Sequence, residues 1–164
     1  MKKILLMVCF LSSLMIGQVA AAPVPILVRE FDIVADHAVT PLDYAFFDEP
    51  GQGKVEFYDL KNLYGAGAKL VVYVATDTGK DWLIFSFGGG MIEARLMNRQ
   101  LAILTERFSA VTKKTPLILT VRDGELTVII GQRSRTVEGV ASFTGALTTQ
   151  SIAGKGKAYQ FAEQ

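Results

Sequence analysis

The feature that most constrains the fold is a pair of apolar segments joined by Asp123-Gly124. Residues 117–122 and 125–130 are rich in leucine, isoleucine, valine and threonine, and most of these favour extended strands. A two-residue turn between antiparallel strands needs positive φ angles, which glycine adopts freely and aspartate tolerates better than most residues. The pattern therefore predicts a tight β-hairpin.

Other segments of similar composition predict further strands. Residues 54–60, 69–76 and 82–87 are apolar, and the last two are apolar on both faces, as in strands covered on both sides of a sheet. Residues 76–81 are polar and contain one glycine, which suits a hairpin connection. Shorter strands are predicted at residues 30–35, 134–138 and 158–161.

Residues 91–108 allow two interpretations. The segment contains no proline or glycine, and an apolar set falls at helical spacings of three and four: Ala94, Met97, Leu101, Leu104 and Phe108. It would then be one helix packed on an antiparallel sheet, in an α+β fold. The alternative divides the segment at Asn98-Arg99 into two strands, the first of which alternates apolar and charged residues.

The first residues have the three zones of a secretory signal. Lys2 and Lys3 precede an apolar run at residues 4–16, and small residues follow at 18–22. The run is shorter than the ~20 residues that a membrane-spanning helix needs. Cleavage after Ala21 is expected, which leaves residues 22–164 as one exported domain, periplasmic or secreted, without a stable membrane anchor.

Composition excludes several classes of site and partner. The only cysteine, Cys9, lies in the predicted leader, so the mature domain has no disulfide or thiol chemistry. The chain has 17 basic and 16 acidic residues, and removal of Lys2 and Lys3 leaves them nearly balanced. A nucleic-acid partner is not expected, because such proteins normally carry a basic stripe.

Residues 88–131 resemble part of the laminin G-like and concanavalin-like lectin domains. The resemblance is carried by three runs: Gly88-Gly89-Gly90-Met91-Ile92-Glu93-Ala94-Arg95, Leu101-Ala102-Ile103-Leu104-Thr105, and the hairpin with its Leu-Thr-Val, Asp-Gly, Leu-Thr-Val pattern. It implies an all-β fold, a two-sheet antiparallel β-sandwich of jelly-roll type, and it favours strands over a helix at residues 91–108.

The resemblance is partial in its residues as well as its length. The family's usual tryptophan at the start of the first hairpin strand is absent, since Pro116 and Leu117 stand there. No calcium or sugar ligand of the family falls on a matching motif, so none is transferred. No cofactor is expected, and calcium binding has no motif to support it.

No catalytic constellation is apparent. Glu30 and Asp32 alternate as in the family's glucanase branch, where one carboxyl group protonates the leaving group and another attacks the sugar carbon. The third acid would fall at Val34 or Ala35, and neither ionises, so a solvated strand face is the simpler interpretation. His37 is the only histidine, which excludes a multi-histidine metal site. The protein is therefore predicted not to be an enzyme.

Trp82 is the strongest candidate for ligand contact. It is the only tryptophan, and its flat ring could stack on the C–H face of a sugar. Asp77 and Asp81 would then act as hydrogen-bond acceptors or calcium ligands. The alternative is that Trp82 opens a buried strand and packs in the core.

The leading functional expectation is an exported, non-catalytic domain that binds carbohydrate, an inference from fold analogy. The alternative is an envelope protein-interaction or structural module, such as an accessory subunit or an inhibitor of an extracellular enzyme. An exposed sheet edge or apolar patch would favour that second class.

Overall fold

A computed structural model describes residues 22–34, 40–42, 46–62, 67–97, 104–107 and 116–162. The predicted leader (residues 1–21) lies outside these ranges, so its cleavage stays a prediction. His37 also lies outside them. The regular elements in the described ranges are strands: β1 (Pro25–Ile33), β2 (Thr40–Leu42), β3 (Gly53–Asn62), β4 (Ala68–Thr76), β5 (Gly79–Gly88), β6 (Met91–Leu96), β7 (Leu104–Arg107), β8 (Leu117–Arg122), β9 (Glu125–Ile130), β10 (Arg133–Glu138), β11 (Val140–Gln150) and β12 (Ile152–Phe161).

These strands form two sheets. Sheet A has the order β1-β12-β3-β8-β9-β10, and sheet B has the order β2-β11-β4-β5-β6-β7. Each pair of neighbouring strands within these orders is antiparallel. The buried apolar side chains form one cluster to which both sheets contribute. The predicted two-sheet antiparallel β-sandwich is confirmed. None of the described segments is a helix long and apolar enough to cross a membrane.

The hairpin at Asp123-Gly124 forms as predicted. Asp123 and Gly124 have φ angles of 52° and 82°, as a two-residue turn of this kind requires. β8 and β9 pair without a register shift, from the turn outward. Alternate residues of both strands are buried, so turn chemistry and period-two burial agree on one register.

Residues 91–108 form strands in their described part, so the helical alternative is wrong there. β6 pairs with β5 on one side and with β7 on the other. Ile92, Ala94 and Leu96 are buried while their neighbours are not, which is the period of a strand. Residues 98–103 and 108 lie outside the described ranges. Hydrogen bonds to two neighbouring strands override the local preference of these residues for a helix.

The expectation that β4 and β5 are covered on both faces is wrong. Their inward residues, including Val72, Val74 and Phe85, have no exposed surface. On the other face Tyr73 is half-buried, and Trp82 is 48% exposed. Antiparallel sheets commonly have one solvated face, and these strands follow that rule even though their outward residues are largely apolar.

A cluster of phenylalanine rings fills the core near the start of β3. The Phe46 ring lies 5.3 Å from that of Phe47 and 5.7 Å from that of Phe143, both edge to face. Phe143 in β11 also exchanges two backbone hydrogen bonds with Gly51, at 3.0 and 2.9 Å. Because Gly51 precedes β3 of sheet A and Phe143 belongs to sheet B, this pairing ties the two sheets together.

Candidate functional site

Trp82 lies on the solvent-facing side of sheet B. The inward positions of β5 are occupied by Asp81, Leu83 and Phe85, so strand alternation directs the indole outward. The residue is 48% exposed, so the interpretation of Trp82 as a core residue is wrong. Because an exposed indole offers a large apolar surface with one polar N–H group, this face is a candidate binding surface.

Tyr73 and Trp82 form an aromatic platform. Tyr73 lies directly opposite Trp82 on the neighbouring strand, and the two ring centroids are 6.3 Å apart at an interplanar angle of 71°. The Tyr73 hydroxyl is 3.1 Å from that of Thr148, and the Lys80 Nζ atom lies 4.9 Å from the centre of the tyrosine ring. These contacts hold the tyrosine, and its edge-to-face packing orients the indole.

The two predicted aspartates lie near Trp82 in the chain but are placed differently. Asp81 is 2% exposed, and its carboxylate accepts a 2.8 Å hydrogen bond from the backbone N–H of Trp82. Its position is inward in the alternation of β5, opposite to that of the indole. Asp77 is exposed in the turn between β4 and β5. A shared ligand for Asp77, Asp81 and Trp82 stays a prediction. Within the described ranges no cluster of histidine, cysteine and acidic residues could hold a metal ion.

Strand register adds residues that the sequence did not indicate. We call the solvent-facing side chains of β4, β5 and β6 the sheet B surface: Lys69, Val71, Tyr73, Ala75, Lys80, Trp82, Ile84, Ser86, Met91, Glu93 and Arg95. Arg95 lies opposite Ile84, one row from Trp82. The Arg95 guanidinium forms a 2.9 Å ion pair with Glu93. No sequence motif contains these residues, because they come from three strands and only pairing brings them together.

On the outward face of sheet A, several aromatic and charged groups are engaged with one another. The Lys54 ammonium lies 2.8 Å from a Glu56 carboxylate oxygen and 4.3 Å from the centre of the Tyr159 ring. Lys157 pairs with Glu30 of β1 at 2.9 Å. Glu30 thus lies on an ion-paired outer strand face.

Two groups on this face have shifted pKa values. Burial raises the pKa of Tyr159, and the Glu56 carboxylate raises it further by its charge and by accepting the phenol's 3.2 Å hydrogen bond. The hydrogen bond and charge of Glu30 raise the pKa of Lys157. Both shifts favour the protonated forms, in which the phenol donates to Glu56 and the ammonium pairs with Glu30.

Comparisons with known proteins identify no family for this chain. No protein-family model matches it, and no curated protein does. One similar solved structure is the galectin LEC-6 of Caenorhabditis elegans, at 10% sequence identity and a TM-score of 0.47, covering 80% of this chain and 95% of the galectin. A likeness at that score carries no argument about ligand or activity, so the site has to be judged on its own geometry.

Proposed function

We propose that the protein is an exported, non-catalytic domain that binds a glycan on the sheet B surface. The observation that carries the proposal is that Trp82 is half-exposed and packs edge to face against Tyr73, with the ring centroids 6.3 Å apart. A flat, rigid indole surface matches the apolar C–H face of a sugar ring, and it loses little side-chain entropy on binding because it is already oriented.

The polar residues around the platform suit sugar hydroxyl groups. Ser86 and Glu93 offer hydrogen-bond acceptors, while Lys80 and Arg95 offer donors, all from the same face. Tyr58 and Tyr159 on sheet A lie under lysine ammonium groups, at 5.9 and 4.3 Å, and Tyr73 on sheet B lies under that of Lys80 at 4.9 Å. The half-exposed Trp82 ring has no such cation–π contact among the described residues, so it is the ring offered to a ligand.

Replacement of Trp82 by alanine is expected to weaken glycan binding roughly 10- to 100-fold, the loss that corresponds to one large apolar contact. The measurement is titration calorimetry with a panel of oligosaccharides. Because Trp82 is the only tryptophan, the intrinsic fluorescence of the unmodified protein reports on this position alone. A bound sugar should change its emission and protect it from a soluble quencher.

Tyr58→Ala is the matched control, since it removes an aromatic side chain from the outward face of the other sheet. It should leave glycan affinity unchanged. If no oligosaccharide in the panel alters the fluorescence, or if Trp82→Ala binds as tightly as the unmodified protein, the proposal is wrong.

A second candidate function, a protein-interaction module, is favoured by strand β1. β1 is one of the two edge strands of sheet A, and Ile26 and Leu27 on it are 55% and 48% exposed. An edge strand presents unpaired backbone groups on which an extended segment of another protein can form an added strand. The partner would be a different chain from the cell envelope.

A second copy of this chain fits the charged half of β1 poorly. Glu30 and Asp32 share the outward face of β1, whereas Arg29 is at an inward position. Two residues that lie opposite each other in a continuous sheet point to the same face. An antiparallel β1–β1 pair centred on a residue between 29 and 32 therefore places Arg29 opposite Arg29, or places acidic residues opposite one another. Like charges in such pairs are destabilising.

Ile26→Lys tests this second function without disturbing the core. The substitution should abolish recovery of a stoichiometric partner from an envelope extract, because the added charge and bulk oppose strand addition, and it should leave fluorescence-monitored glycan binding intact. Trp82→Ala should recover that partner normally. Equal recovery by the Ile26→Lys variant, or no partner with the unmodified protein, contradicts the interaction function.

A further inference from the structure

The sheet B surface carries an excess of positive charge. Its charged residues are Lys69, Lys80 and Arg95 against the single carboxylate of Glu93. Glu93 is paired with Arg95 at 2.9 Å. Considering only the residues that the structure describes, the ammonium groups of Lys69 and Lys80 have no carboxylate partner, so two positive charges on this face are available to a ligand.

The position of Lys80 connects this charge to the aromatic platform. Lys80 precedes Trp82 by two residues on the same face, and its Nζ atom lies 4.9 Å from the centre of the Tyr73 ring. The ammonium is therefore held beside the ring against which Trp82 packs. An anionic group on a sugar stacked on Trp82 would lie close to this charge, and the cation–π contact already restricts where the lysine can point.

Lys69 marks the far end of the same surface. It lies opposite Ser86, which is six residues beyond Lys80 on β5. At about 3.3 Å per residue the two lysines are separated by roughly 20 Å along the strand direction. Val71, Tyr73, Trp82 and Ile84 lie between them. A ligand that contacts both charges must be an oligosaccharide that extends along the strands, with its apolar faces on this central strip.

We propose that the ligand of this surface is an acidic oligosaccharide built from uronic acids, an inference that rests on the proposed glycan-binding function. In a uronic acid the carboxylate is attached directly to the sugar ring. A ring stacked on Trp82 therefore carries its charge at the level of the Lys80 ammonium, and a second carboxylate further along the chain pairs with Lys69. The two lysines select charge, and the platform selects the sugar ring.

The test compares the affinities of oligogalacturonate and of a neutral oligogalactoside of the same length and linkage. Binding is monitored by the fluorescence of Trp82. The acidic sugar should bind at least ten times more tightly at low salt, and the difference should shrink as salt screens the charges. Lys80→Gln and Lys69→Gln should each weaken oligogalacturonate binding roughly 3- to 5-fold, with little effect on the neutral sugar, as expected for partly exposed ion pairs.

Lys155→Gln is the matched control, because Lys155 is an exposed strand lysine on sheet A. It should not change either affinity. Equal binding of the acidic and neutral sugars overturns the charge inference and leaves the glycan-binding function standing, whereas binding of neither sugar overturns both. An equal loss with Lys155→Gln, or tighter binding of a sulfated oligogalactoside than of oligogalacturonate, also overturns the uronic acid assignment.

Discussion

Replacing Phe143 with alanine is expected to lower the free energy of unfolding by about 3–5 kcal/mol, the cost of deleting a large ring from a packed core. The side chain has no exposed surface. Its ring lies 5.7 Å from that of Phe46 and 5.8 Å from that of Phe47. The cavity left by the ring would also loosen the backbone pairing between Phe143 and Gly51, which joins the two sheets.

Urea unfolding followed by circular dichroism measures this effect. Ser142→Ala is the control, since Ser142 is a half-buried neighbour on the same strand, and it should change the free energy of unfolding by less than about 0.5 kcal/mol. A Phe143→Ala variant that loses less than about 1 kcal/mol would show that the three rings do not pack as the structure has them.

Replacing Gly156 with valine is expected to cost about 3 kcal/mol, at the upper end of typical overpacking penalties. Gly156 lies in β12 between β1 and β3, opposite Phe31 on one side and Phe57 on the other. A Cβ atom at this position would overlap the Phe31 ring. That ring is partly buried against the core and lies 6.0 Å from Phe46 and 6.1 Å from Phe57, so moving it aside would break these ring contacts.

The Phe31→Ala background separates this steric conflict from a general loss of strand stability. If the valine clashes with the ring, Gly156→Val should cost clearly less when Phe31 is already alanine, and the double-mutant cycle should give a coupling of about 1–2 kcal/mol. Lys155→Val, an exposed substitution on the same strand, should be nearly neutral. Strictly additive single effects would contradict the predicted overlap.

The strands differ in how well local sequence predicts them. The hairpin from β8 to β9 was predictable because its turn residues and both alternating strands lie within 14 consecutive positions. Residues 91–96 were ambiguous on local pattern, because they alternate like a strand while residues 91–108 also contain an apolar set at helical spacing. Only the neighbouring strands β5 and β7, which provide hydrogen-bond partners on both sides, decide between them.

The candidate site was also only partly predictable from local sequence. Trp82 was identifiable as the only tryptophan, but its neighbours in the sequence did not reveal which face it occupies, since β5 is apolar on both sides. Asp81 was predicted from its place beside Trp82, yet it is buried on the opposite side of the strand. Lys69 and Arg95 gave no signal, because they are distant from Trp82 in sequence and belong to other strands.

By itself the sequence determined the β-rich character of this chain and the hairpin at Asp123-Gly124, since each depends on residues that are close neighbours. It also singled out Trp82 as the only tryptophan. The tertiary structure alone decided which face of each strand is covered and which residues meet across strands. The physical reason is that burial depends on what the other sheet covers, and pairing depends on register. Both are properties of contacts between segments far apart in the chain.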